Sequence, residues 1–261
     1  MNIRKTTSIF FSPTESTQKV ASLVASQFPL SVEEVNITMS SAKEENRKFH
    51  KDDLVIFGIP VYGGRVPEIA MERLQDIQGH KTPAILIAAY GNRDYEDALV
   101  ELKDLVEKNG FITMAAAAII TEHSIMHSVA AGRPDQEDKE KILDFSNDVW
   151  IKLQDIQDIS DTAPLLLKGN FPYKEYHGVP LKPDSKRNCT KCGICAQNCP
   201  VNAISVEDPG KTNKELCISC MRCIKVCPTH ARKLNGLLLA TAEKSFYQKC
   251  KTRKEAEFFI E

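Results

Sequence analysis

Leu54-Val55-Ile56-Phe57-Gly58-Ile59 is an unbroken apolar run, and Ala84-Ile85-Leu86-Ile87-Ala88-Ala89-Tyr90 is a second. A strand with one wet face alternates apolar and polar side chains. A strand without polar positions is covered on both faces, as in a parallel sheet held between two helix layers. Outward from this pair the chain alternates. Residues 6–11, 32–37 and 112–121 read as further strands, and residues 16–28, 66–77, 95–110 and 135–156 as helices. Val20, Leu23, Val24 and Phe28 share one face of the first helix, and Ala98, Leu99, Leu102, Leu105 and Val106 one face of the third, with Gly110 as its stop. Five strands alternating with helices predict an α/β fold, a doubly wound five-stranded parallel sheet closed by right-handed crossovers.

The net charge of −1 hides a division. Residues 1–188 carry 22 Lys/Arg against 28 Asp/Glu, and residues 189–261 carry 12 against 7. All nine cysteines lie in the second, basic part. A basic segment can mean nucleic acid, but bound polythiolate clusters are anionic and would neutralise the same excess, so no nucleic-acid partner is expected. No stretch is long and apolar enough to span a membrane, and Met1-Asn2-Ile3-Arg4-Lys5 leads into a short apolar run with no small-residue cleavage site. The expected compartment is the cytoplasm, where clustered cysteines are metal ligands or catalysts more often than disulfides.

Three loops follow strand ends, where open α/β sheets bind ligands. Ser12-Pro13-Thr14-Glu15-Ser16-Thr17 opens the first helix with four hydroxyls in six residues. With the helix's first N–H groups they can cradle a phosphate, although one such hydroxyl would serve as a simple cap. Pro60-Val61-Tyr62-Gly63-Gly64-Arg65 places two glycines beside a tyrosine, which suits close approach of backbone to a flat ring and equally suits an ordinary turn. Tyr90-Gly91-Asn92-Arg93-Asp94-Tyr95 repeats the aromatic-glycine-polar theme. No GxGxxG follows any strand, so a dinucleotide fingerprint is missing.

In element order and in these loops, residues 1–160 resemble the flavodoxin family. The resemblance implies strand order 2-1-3-4-5 and FMN as cofactor. Its phosphate would lie in the loop of Ser12, Thr14, Glu15, Ser16 and Thr17. Its ring would lie between Pro60, Val61, Tyr62, Gly63, Gly64 and the stretch Tyr90, Gly91, Asn92, Arg93, Tyr95. Tyr62 and Tyr90 or Tyr95 are the stacking candidates. Glu15 stands where the family's S/T-x-T-G-x-T signature has glycine, and its carboxylate is expected to point to solvent. His123 and His127 follow the fifth strand as loop residues to which no catalysis is assigned, and the role of Arg133 is open. Residues 161–188 contain Pro164, Pro172, Pro180 and Pro183 and read as a linker or an arm. Phe171, Tyr173 and Tyr176 favour an arm that packs.

The densest signal comes last. Cys189-x2-Cys192-x2-Cys195-x3-Cys199-Pro200 is followed by Cys217-x2-Cys220-x2-Cys223-x3-Cys227-Pro228. In this doubled run the fourth cysteine ligates the other cluster, so Cys189, Cys192, Cys195 and Cys227 would hold one [4Fe–4S] cluster and Cys217, Cys220, Cys223 and Cys199 the second. Two four-thiolate zinc sites are the alternative, but zinc needs neither the third cysteine nor the trailing Cys-Pro. Residues 189–235 resemble two-cluster bacterial ferredoxins, which implies a small α+β domain over 189–236. Residues 237–261 read as a helical tail in which Cys250 is an idle or buried thiol.

A flavodoxin-like domain joined to a ferredoxin domain resembles known flavodoxin–ferredoxin fusions. That implies an electron-transfer protein passing single electrons between the clusters and FMN, with a ferredoxin-like donor or acceptor as partner. The basic face around Lys214, Arg222 and Lys225 is the expected docking site. A ferredoxin-dependent flavin reductase acting on a small substrate, and a flavin-free binding or sensor module, are the rival readings.

Overall fold

Strands β1 (Lys5–Phe10), β2 (Val32–Asn36), β3 (Asp53–Pro60), β4 (Thr82–Tyr90) and β5 (Phe111–Ile120) are joined by a sixth, β6 (Glu257–Ile260). The computed structural model describes residues 1–39 and 47–260. The sheet runs β6-β5-β4-β3-β1-β2. The first five strands are parallel, in the order 2-1-3-4-5. Their connections are the crossovers that parallel pairing requires.

Side-chain alternation assigns the two layers. Leu54 and Ile56 on β3 face helices α1 (Ser16–Ala25) and α4 (Gln136–Asp155), packing with Val20, Val24, Phe145 and Val149. Val55, Phe57 and Ile59 face the other way, toward α2 (Glu68–Leu74) and α3 (Ala98–Lys108), with Leu74, Leu99 and Leu102. Every residue of β4 is buried. The apolar runs at 54–59 and 84–90 are therefore central strands with both faces covered.

The tail departs from the helical expectation. Helix α7 (Gly236–Cys250) ends, and Glu257-Phe258-Phe259-Ile260 returns to pair antiparallel with Ala115–Ala118 of β5. The five-stranded parallel sheet thus gains an antiparallel edge strand. Four residues are too few to show a period in sequence, yet Phe258 stacks on Phe145 at 4.9 Å in one layer while Phe259 packs into the other.

The cysteine-rich domain has two one-turn helices, α5 (Ile194–Gln197) and α6 (Arg222–Lys225). A short antiparallel pairing of Asp184–Ser185 with Arg232–Lys233 closes it, so the domain begins inside the segment read as an arm. The rest of that segment packs. Leu165 is in the sheet core, and Asp97 accepts from the N–H groups of Asn170 and Lys174 at 2.8 and 2.7 Å. A third apolar cluster ties the parts together: Met126 and Val129 of the sheet domain meet Leu181, Met221 and Leu234, with Cys250 of α7 buried among them.

Candidate redox site

The cysteines line two narrow gaps. One is bordered by Cys189, Cys192, Cys195 and Cys227, the other by Cys199, Cys217, Cys220 and Cys223. Backbone N–H groups point at the sulfurs, from Ala203 to Cys199 Sγ and from Ala231 to Cys227 Sγ at 3.2 Å each. Burial pushes the Cys220 and Cys223 thiols up to about 12, so metal binding must displace their protons. At Cys227 burial acts in the same direction but is outweighed by hydrogen bonds from Arg232, Thr229 and Ala231, and its pKa is lowered. Four thiols around each gap are the donor set a cubane requires. Arg232 is a buried guanidinium beside the first gap, donating to Thr212 Oγ1 at 2.6 Å and to the Pro209 carbonyl.

The hydroxyl-rich loop divides its labour. Ser12 is buried, and its Oγ accepts the Gln18 N–H at 3.0 Å. Thr17 is buried with its methyl against β3, where a Cβ on Gly58 would lie 3.2 Å away. Thr14 and Ser16 face outward into a large cavity, their hydroxyls 3.5 Å apart. Glu15 precedes α1 at φ 70° and offers no side-chain cap; with Ser12 taking the Gln18 N–H, the first two N–H groups of the helix, those of Ser16 and Thr17, are left for an anion.

A second cavity of about 200 Å³ lies between the other two loops. Tyr62 and Gly63 form one side, and Tyr90, Gly91 and Arg93 another. Gly63 has φ 63°, and a Cβ there would strike the Tyr176 ring at 2.1 Å. Tyr62 is held by reciprocal backbone bonds to Arg65 at 2.9 and 3.2 Å. Burial raises its pKa well above the ordinary value, and the nearby Cys220, Tyr176 and Cys217 add to the shift. Ile218 and Ser219, the residues between Cys217 and Cys220, complete the wall.

Several expected ring contacts are engaged elsewhere. Tyr95 is buried, edge-on to Tyr90 at 5.6 Å, and its hydroxyl donates to Glu257 at 2.8 Å. The Asn92 amide donates to the Cys250 and Thr252 carbonyls at 2.6 and 2.9 Å, fastening the turn before β6. Gly64 is packed against Glu96, whose carboxylate Arg93 and then Lys174 hold down to about 2. Pro60 ends β3, and Val61 lines the cavity beside Tyr62. His123, expected only as a loop residue, and Tyr176, expected only in the packing arm, both line this cavity. His123 Nδ1 accepts from the N–H groups of Ile125 and Met126 at 3.1 Å each, which leaves Nε2 as the protonated nitrogen. Burial, then the charges of His127 and Arg93, lower its pKa to about 4.

Residues 188–231 match the family model of the 4Fe-4S dicluster domain. This segment is a dicluster domain. The match retires zinc for the eight cysteines. A stretch of 58 residues is 45% identical to the polyferredoxin protein MvhB of Methanothermobacter thermautotrophicus, covering 22% of this chain and 14% of that protein. Among solved structures, a flavodoxin from the domain Archaea has 13% identity and TM-score 0.40 over 57% of this chain and 99% of that one. The Streptococcus pneumonia TIGR4 flavodoxin has 18% identity and TM-score 0.38 over 56% and 98%. The flavodoxin-like assignment of the first domain rests on its strand order. The chain joins this fold to the dicluster domain.

The two domains meet at the hydroxyl-rich loop. Arg222 of α6 donates to the Pro13 carbonyl and to Asn198 Oδ1, both at 3.1 Å. Lys225 pairs with Glu15 at 3.2 Å. This corrects two expectations: Glu15 does not face only solvent, and Arg222 and Lys225 face the flavodoxin-like domain and are not free to dock a partner. Only Lys214 of that trio is exposed without such a role. No helix among the described residues is long and apolar enough to cross a membrane.

Proposed function

We propose that the protein carries single electrons between two [4Fe–4S] clusters and an FMN. The crossed cysteine quartets, Cys189, Cys192, Cys195, Cys227 and Cys199, Cys217, Cys220, Cys223, would be the ligands. Thr14, Ser16 and the open start of α1 would hold the phosphate, and Tyr62, Gly63, Gly91 and Arg93 would border the ring. When bound, FMN takes up one or two electrons whereas each cluster passes one at a time. One observation carries the reading: Ile218 and Ser219 are shared between the ring cavity and the loop of the second quartet, so a single thickness of chain separates them. Tyr62 and Tyr176 are aromatic and desolvated at that partition. They exclude water from it, and His123 offers an N–H to the same cavity.

A redox partner would meet the first quartet, where Cys192 is exposed and flanked by exposed Lys186, Arg187 and Lys191. That rim suits an acidic protein. The test is anaerobic reconstitution followed by iron, sulfide and FMN analysis and spectroscopy of two variants. Cys199→Ala should damage the cluster of Cys217, Cys220 and Cys223, and Cys227→Ala the other. If each variant instead loses the cluster of its own run, the crossed ligation is wrong. If the wild type takes up clusters but no FMN, the flavin part is.

A further inference from the structure

A cavity of about 1190 Å³ beside the hydroxyl-rich loop exceeds what the phosphate of a flavin can account for. Thr14 and Ser16 occupy one end. The remainder is bounded by α1, the start of α4, the dicluster domain and α7. Its apolar surface comes from Leu23, Ile125, Met221, Ile224, Leu234 and Leu239. Its cations are arranged differently from those at the domain contact. Among the described residues, Lys19, Lys139 and Lys233 make no ion pair, while Lys225 is paired with Glu15 and Arg133 with Asp138. Among the described residues the one lining carboxylate, Glu122, is already occupied by His127 and by the Gly132 N–H. Lys139 lies on α4 and Lys233 next to the last cluster cysteine's turn, neither of them in the phosphate loop. Apolar walls with unbalanced positive charge select a ligand that is apolar in body and anionic at its head.

Two wall residues give the cavity a redox address. Met221 also lines the gap of Cys199, Cys217, Cys220 and Cys223, and Arg232 also lines the gap of Cys189, Cys192, Cys195 and Cys227. A molecule in the cavity is thus one side chain from either cluster position. We infer that this cavity is a second ligand site, for an organic carboxylate with an extended apolar body. It goes beyond the flavin reading and does not depend on it.

Decanoate is a suitable probe, titrated calorimetrically into the reconstituted full-length protein, with decyltrimethylammonium and inorganic phosphate as controls. One decanoate per chain should bind. The double variant Lys139→Glu/Lys233→Glu alters two exposed side chains and should weaken that binding at least about tenfold through charge reversal, with iron and FMN contents unchanged. Decanoate should also shift the electron paramagnetic resonance signals of the reduced clusters. Absence of binding, equal binding by the double variant, equal binding of the cationic analogue, or phosphate competing as strongly as decanoate would each overturn the site. So would binding that leaves the cluster signals unmoved. FMN content is read on the same samples, so a failure of the flavin reading appears separately as protein without flavin.

Discussion

At the residue scale, the hydroxyl-rich loop shows how like side chains acquire different jobs. Four hydroxyls in six residues are equivalent on paper; the fold turns Thr14 and Ser16 to the cavity and Thr17 into the core. Thr14→Ala and Ser16→Ala should each weaken FMN binding by about 1.5–3 kcal/mol, as loss of a hydrogen bond to a charged group does. Thr17→Val keeps the buried shape and should leave FMN affinity nearly unchanged; flavin fluorescence quenching measures all three. Glu15 holds a left-handed conformation that glycine adopts without cost, and the carboxylate it gains reaches Lys225. His123 offers a pH test. Its pKa is depressed to about 4 from 6.5, so the unfolded chain binds its proton first. Its contribution to stability is complete above pH 6.5 and is lost as pH falls through 4. The amount is on the order of 3 kcal/mol. His123→Asn keeps an acceptor for the loop N–H groups and does not titrate. Urea unfolding of wild type should therefore lose more stability than the variant between these pH values, and parallel curves would remove this role.

At the element scale, β6 and the segment before the dicluster domain are the pieces whose partners lie far along the chain. Phe258 sits between α4 and β5, and Glu257 accepts the Tyr95 hydroxyl. Phe258→Ala should cost about 2 kcal/mol, less than a fully buried phenylalanine because the side chain is half covered. A thermal melt followed at the sheet's circular dichroism would show it, and an unchanged midpoint would mean that β6 is dispensable. The 161–188 segment behaves similarly: Asp97 holds its backbone, the Arg65 guanidinium lies 5.1 Å from the Tyr173 ring centre, and Tyr176 closes over Gly63. Its aromatic content was legible as packing, but the partners were not. Phe171, counted with them, is 87% exposed and lies edge-on to Tyr173.

At the scale of the whole molecule, the contact between domains places the second cysteine quartet against the ring cavity and leaves the first quartet open to solvent. Electrons from a reduced ferredoxin should therefore enter at the Lys186–Arg187–Lys191 rim. Stopped-flow mixing under anaerobic conditions should show a first phase that slows with salt, because the encounter is steered by charge. A second phase, reduction of the flavin, should be independent of protein concentration and faster than in a mixture of the separate domains. Charge reversal at Lys191 should slow the first phase and spare the second. Equal rates in the fusion and the mixture, or rapid reduction by NADPH alone, would exclude the internal route; neither domain carries a dinucleotide fingerprint.

The parallel sheet and the two cysteine runs were determined by sequence alone. Continuous apolar runs can only be satisfied with both faces covered, and cluster ligation depends on spacing within a few residues, so both signals are local. The six-stranded order, the separation of Thr14 and Ser16 from Thr17, the diversion of Asn92 and Tyr95 to the C-terminal segment, and the turning of Arg222 and Lys225 inward to Pro13 and Glu15 were decided only by tertiary structure. In each case the partner is a backbone group or a single side chain more than 130 residues away in the chain or hidden behind a helix turn. A carbonyl is the same in every residue, so no composition or period marks which one a guanidinium or amide will find.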